Sequence, residues 1–176
     1  MARLVLTFVG DDRPGLVNAI SAEVAAHEGS WLESRSVRLA GKFAGVLLVA
    51  IDDEKVIALE SELAKLLPKG LRVSVERGEG TEIVDIDRKT VSLDVVGQDR
   101  PGIVRDVTQA LNALGVNIEE FASGLENAPF TGETIFRATA RLVTPQDIAL
   151  EDIRKALERL AGEIMVDLTI SDRGTT

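Results

Sequence analysis

Leu4–Val17 reads LVLTFVGDDRPGLV, and Val91–Val104 reads VSLDVVGQDRPGIV. Gly97 follows Gly10 by 97 − 10 = 87 residues, and Asp12-Arg13-Pro14-Gly15 matches Asp99-Arg100-Pro101-Gly102 without a gap. The chain therefore repeats itself, and a repeat constrains the architecture before any single element does. Further on, Gly29-Ser30-Trp31-Leu32-Glu33 aligns with Gly115-Val116-Asn117-Ile118-Glu119 at an offset of 115 − 29 = 86. By this alignment the second copy is one residue shorter within or just after its first helix.

Both copies read outward from the loop in the same order. Val91, Leu93 and Val95 alternate with Ser92 and Asp94, the period of a half-buried strand. After the loop, Ile103, Val107, Leu111 and Leu114 fall on one helical stripe, as Leu16, Ile20 and Val24 do in the first copy. Pro14 and Pro101 suit the first turn of these helices, where a missing N–H costs nothing. Two strands follow. In copy one, Leu32–Leu39 and Phe43–Ile51 flank a hairpin turn at Ala40-Gly41-Lys42; in copy two the connection is longer, around Gly124 to Gly132. A second helix starts after Asp52-Asp53-Glu54 and after Thr144-Pro145-Gln146-Asp147. Its apolar stripes are Leu59, Leu63, Leu66 and Ile153, Leu157, Leu160. A last strand carries Leu71, Val73 and Val75, or Ile164, Val166, Leu168 and Ile170.

The order β-α-β-β-α-β, twice, predicts an α+β protein of two ferredoxin-like domains in tandem. Each has a four-stranded antiparallel sheet with both helices on one face. Right-handed crossovers are expected to place the strands flanking the first helix centrally. The domains are expected over residues 1–78 and 90–173, with a linker over 79–89. Each copy, at about 80 residues, buries only a modest core.

Composition narrows the function. The chain has 176 residues, 45% hydrophobic and 28% charged, with a net charge of −9. No apolar run is long enough to span a membrane. The apolar start Met1–Gly10 breaks into Asp11-Asp12-Arg13 and lacks signal-peptide features, so a cytoplasmic location without membrane partners is expected. With no cysteine and one histidine, His27, a thiol nucleophile, a Cys-based zinc site and a His-pair metal site are excluded. Neither a metal nor another cofactor is expected. The acidic balance repels a phosphate backbone, and 3% aromatics without tyrosine leave no base-stacking platform. Direct nucleic-acid binding is therefore not expected.

The loop between the first strand and first helix is the informative feature. Backbone N–H groups at a helix start are unpaired and partly positive, so they can hold a carboxylate. An Asp or a carbonyl in the same loop can receive an ammonium group. A zwitterion such as an amino acid needs both. Pro, Gly and Asp are also ordinary turn residues, so a purely structural turn remains the alternative. Turn chemistry does not require the arginine.

The Asp-Arg-Pro-Gly-Leu/Ile-Val core and the later Gly-x-Asn-Ile resemble the ACT domain family, small ferredoxin-like modules that bind amino acids and regulate proteins. The resemblance covers about residues 3–77 and 90–172, and the tandem pair looks most like the glycine cleavage system transcriptional repressor group. It implies that modules pair and that ligand sits between the strand-helix loop of one module and the second strand of its neighbour. Carried onto this sequence, the ligand-binding positions are Asp12, Arg13, Pro14, Gly15 and Leu16 in copy one. In copy two they are Asp99, Arg100, Pro101, Gly102 and Ile103, with Asn117 and Ile118 at the second strand. By the alignment above, Trp31 stands where Asn117 does, which singles out a site combining the copy-one loop with Asn117.

Other candidates have plainer readings. His27 fits a solvated or capping position near a helix end, where a cation favours the dipole. Asp52-Asp53-Glu54 reads as a helix start, and Glu82, Asp85 and Asp87 as a solvated linker. Val46-Leu47-Leu48-Val49 is apolar on both faces, whereas Phe136, Ala138, Ala140 and Leu142 alternate with Arg137, Thr139 and Arg141. Copy one's outer sheet face therefore calls for cover, and a homo-oligomer or intramolecular pairing is expected.

The function expected is a non-enzymatic amino-acid sensor, responsive to glycine or a similar amino acid. It would act in transcription through a regulatory protein partner. Two alternatives stand beside it. One is an acylphosphatase-like enzyme with Arg13 or Arg100 on phosphate, although Asp12 or Asp99 would repel that ligand. The other is a ligand-independent protein-interaction module. The resemblance also reaches tandem modules of phosphoserine phosphatases and single ones of formyltetrahydrofolate deformylases, whose catalytic domains are not seen here.

Overall fold

A computed structural model describes residues 1–78, 89–127 and 133–172. The chain divides into two compact units, Met1–Ile83 and Val84–Thr176. The expected linker lies outside the described residues except for Lys89, which already opens a strand.

Unit one runs β1 (Ala2–Asp11), α1 (Leu16–Ala26), β2 (Ser30–Leu39), β3 (Lys42–Ile51), α2 (Val56–Ala64) and β4 (Leu71–Arg77). Unit two runs β5 (Lys89–Gln98), α3 (Ile103–Ala113), β6 (Asn117–Asn127), β7 (Thr134–Thr144), α4 (Leu150–Ile164) and β8 (Val166–Asp172). Each unit forms one antiparallel four-stranded sheet, ordered β2-β3-β1-β4 and β6-β7-β5-β8. These are two ferredoxin-like α+β domains. The strands flanking the first helix are not both central: β1 is, but β2 lies at the edge. The crossover through α1 skips one strand position, and the tight β2–β3 hairpin puts β3 into the gap.

Period two decides which face is buried. Leu4, Leu6 and Phe8 of β1 stand opposite Val49, Leu47 and Gly45 of β3, and they pack with Leu16, Ile20 and Val24 of α1 and Val56, Leu59 and Leu63 of α2. Both helices therefore cover one face. Unit two repeats this with Val91, Leu93, Val95, Ala138, Ala140 and Leu142 beneath Ile103, Val107, Leu111, Ile153 and Leu157. One cross-strand pair trades volume between the units. Phe8 faces Gly45, where an added Cβ would stand 2.7 Å from the Phe8 ring, whereas Val95 faces Ala138. Large against none becomes medium against small, which preserves packing density.

Several local expectations change. Ala40 and Gly41 both have positive φ, 48° and 77°, as a two-residue hairpin loop of the primed kind requires. Gly124 lies inside β6, opposite Arg137, so the longer connection of unit two starts only after Asn127. Ile164 ends α4 and does not open the last strand, because Met165 turns the chain at φ 52°. Pro14 and Pro101 sit just before the helices, and glycine takes each N-cap.

The two first helices end alike. Glu28 and Gly115 both have positive φ, 56° and 66°. The amides of Gly29 and Val116 reach back to the carbonyls of Val24 and Leu111. Ser30 opposes Ala50 as Asn117 opposes Val143, and each strand bulges once, between Trp31 and Glu33 and between Ile118 and Glu120. The offset thus stays at 117 − 30 = 87, with no residue lost. Ser30, not Trp31, is the counterpart of Asn117. The matching glycines, Gly29 and Gly115, misled the alignment because they serve different ends. Gly115 supplies a left-handed turn, whereas Gly29 lets β2 approach Val24, which a Cβ would meet at 3.0 Å. Trp31 and Ile118 are both half-buried against their cores.

Among the described residues, no helix is long and apolar enough to cross a membrane. No group of three metal-ligating side chains forms among them either.

Candidate functional site

The first strand of each unit runs into the loop singled out by the sequence. Gly10 and Gly97 stand next to last in their strands, where a neighbouring segment passes too close for a side chain. A Cβ on Gly10 would stand 2.7 Å from the Gly70 carbonyl, and one on Gly97 would stand 2.5 Å from Val166 Cγ1. The chain then turns through Asp-Arg-Pro to a glycine N-cap in the left-handed region, Gly15 at φ 94°, ψ 0° and Gly102 at φ 94°, ψ −3°. Neither helix has a side-chain cap. The Gly15 and Gly102 carbonyls accept the first helical bonds, from the amides of Ala19 and Asp106. The preceding first-turn N–H groups lack intrahelical partners and form the partly positive end on which the carboxylate reading rests.

The aspartates anchor the loop through their backbones. The Asp12 amide donates to the Gly41 carbonyl at 2.9 Å, and that of Asp99 donates to the Thr134 carbonyl at 3.2 Å. The Asp12 carboxylate lies 3.6 Å from Arg38. Its neighbour Asp11 pairs with Lys42, whose ammonium holds the Asp11 carboxyl below the usual carboxylate range. The acidic side of the first loop is thus turned towards the β2–β3 hairpin. Leu16 and Ile103 are buried core residues, so they present little side chain to a ligand. Asn117 is exposed at the first position of β6, and Ile118 packs against the core of unit two.

The arginines differ. Arg13 donates to the Lys69 carbonyl and makes no ion pair among the described residues. It borders an open pocket of about 440 Å³, lined by Arg13, Pro14, Gly15, Ala19, Lys69 and the tops of Leu16, Leu66 and Leu71. Arg100 instead donates to Asp106 at 2.9 Å, and Arg105 donates to the other oxygen of the same carboxylate at 3.0 and 2.8 Å. These bonds, those from Arg105 foremost, hold the Asp106 carboxyl below its usual range. Arg105 and Asp106 stand where unit one has Asn18 and Ala19. Sequence reasoning passed over them, although the repeat offset itself carried the signal.

The other candidates play structural parts. His27 caps the end of α1, its Nδ1 2.8 Å from the Glu23 carbonyl. Asp53 and Glu54 belong to a 3₁₀ turn leading into α2. Glu82, Asp85 and Asp87 lie outside the described residues.

Two ferredoxin-like units in tandem, each opening its first helix with the same arginine-bearing loop, define the class of fold. Unit one matches the ACT domain family over residues 2–76, and unit two repeats its fold. A crystal structure of an unknown protein from Galdieria sulphuraria is 30% identical, with a TM-score of 0.85 over 98% of this chain and 99% of that one. A structure described provisionally as a glycine cleavage system transcriptional repressor shares the fold. It has a TM-score of 0.74 at 18% identity, over 99% of this chain and 98% of its own. Phosphoserine phosphatase SerB2 of Mycobacterium tuberculosis is 28% identical over 97% of this chain, which spans 41% of that enzyme's length.

Proposed function

We propose that the protein is a non-enzymatic amino-acid sensor that regulates a partner protein. Glycine or a similarly small amino acid is the ligand, and transcription of a glycine-degrading system is the process it serves. One observation carries the reading. In unit one an arginine that makes no ion pair among the described residues stands beside an uncapped helix start and an open pocket. A ligand carboxylate there gains charge-assisted hydrogen bonds. The acidic net charge of −9 favours action through a DNA-binding partner over direct contact with DNA. Ligand would act by differential affinity for the two states of that partner complex, and a coupling of about 1–3 kcal/mol is sufficient. A homo-oligomer fits the outer sheet face of unit one, where Val9 and Val46 are 39% and 40% exposed.

Calorimetry of the full chain against glycine, serine and a panel of other amino acids tests this. Saturable binding of one amino acid is expected. No binding across the panel would overturn the sensor and leave a ligand-independent interaction module. Phosphate release from an acyl phosphate would favour an enzyme instead.

A further inference from the structure

The two loops share a backbone, yet their surroundings differ sharply. A Cβ placed on Gly15 would meet nothing within 4 Å, whereas one on Gly102 would meet the guanidinium of Arg105 at 3.4 Å and that of Arg100 at 3.9 Å. Both of these guanidinium groups are drawn over the loop by Asp106, whose side chain is only 18% exposed. The carboxylate that an amino-acid ligand would bring to such an arginine is thus supplied by the chain itself. Unit one has Ala19 at that position and cannot do the same.

We propose that Asp106 is a built-in stand-in for a ligand carboxylate, so that the second loop is closed and each chain carries one carboxylate-binding loop, at Arg13. The inference rests on the amino-acid reading of the loops and assigns it to one of them. Asp106 decides specificity between the units without touching the ligand. Removing its carboxylate frees Arg100, and adding one at Ala19 ties up Arg13.

The test is a per-loop titration. The full chain, labelled with ¹⁵N, is titrated with glycine and, as a bare carboxylate probe, acetate. In the wild type the Gly15 and Leu16 amides are expected to shift saturably, while those of Gly102 and Ile103 stay still. In Asp106→Ala a second saturable response is expected at Gly102 and Ile103, with the first unchanged. Asp106→Asn should give the same gain and guards against a packing defect of the alanine. Ala19→Asp should weaken the first response at least tenfold, with the remaining amide spectrum showing that unit one is still folded. Responses at both loops in the wild type would overturn the closed loop while leaving amino-acid binding intact. A second loop that stays silent in both Asp106 variants would overturn it equally. Silence at both loops in every protein would overturn the binding reading and this inference together.

Discussion

Unit one and unit two have nearly the same backbone and spend their polar groups differently. Unit one leaves Arg13 on a backbone carbonyl beside a pocket, and it presents Val5, Val46 and Leu48 on its outer sheet face. Unit two ties Arg100 to a carboxylate of its own, and its outer face is laced by Arg141 with Glu119 and Glu120 and by Arg137 with Glu126. The loop arginine meets a carbonyl in one unit and a carboxylate in the other. A repeated motif therefore marks a repeated fold, while the partner of its arginine depends on neighbours outside the motif.

The broadest way to test this comparison is to disable one unit at a time. Leu6 and Leu93 are matching core residues, 0% and 1% exposed. Either one changed to alanine is expected to cost its own unit about 2–5 kcal/mol. Denaturant unfolding followed by circular dichroism reads that loss. Leu6→Ala should also weaken amino-acid binding more than Leu93→Ala does, because it destabilises the unit that carries Arg13.

The next effect is at the loops. Arg13→Ala is expected to lower affinity roughly tenfold or more, since a hydrogen bond to a charged group contributes about 1.5–3 kcal/mol. Arg100→Ala should leave affinity unchanged. Equal losses measured by calorimetry would erase the functional difference between the units.

A smaller change separates the second strands. Asn117→Ala is expected to weaken binding by roughly three- to tenfold, the worth of one neutral hydrogen bond, with the melting temperature unchanged. Ser30→Ala is the matching control. Unchanged affinity in a folded Asn117→Ala protein removes that residue from the site.

The Asp106 pairing also has a pH signature. Its folded pKa lies below the unfolded value, so the contribution is fully present above the unfolded carboxylate range and disappears as pH falls through the folded value. Unfolding midpoints of unit two in the wild type and Asp106→Asn should therefore differ near neutrality and converge in acid. A constant difference would show that charge is not the cause.

The smallest effects lie at the left-handed turns. At the turns leading from its helices into the next strand, each unit has one glycine and one strained residue, in opposite places: Glu28 and Gly70 in unit one, Gly115 and Met165 in unit two. Met165→Gly is expected to stabilise by about 0.5–1 kcal/mol, the relief of left-handed strain less the added unfolded-chain entropy. Glu28→Gly should gain less because it loses the 2.7 Å pair with Lys55.

Most of the fold was legible because alternation and helical stripes report burial directly, as Val91, Leu93, Val95 and Leu16, Ile20, Val24 did. Errors arose where one residue type serves two purposes. Glycine marks both a left-handed turn and a close approach, so Gly29 was matched to Gly115 and Asn117 to Trp31. Proline suits both the first helical turn and the position before a cap. Ile164 continued the apolar alternation of a strand but ends a helix.

The sequence by itself determined the repeat, the α+β class, the core faces and the position of the arginine-bearing loops. These follow from local periodicity and from residues adjacent along the chain. Only the tertiary structure decided that β3 lies between β1 and β2, that Ser30 answers to Asn117, and that Arg13 and Arg100 have different partners. Those facts depend on distances between residues separated along the chain. A guanidinium six residues from a carboxylate in sequence pairs with it only when the loop folds back over its own helix, and periodicity contains no term for that.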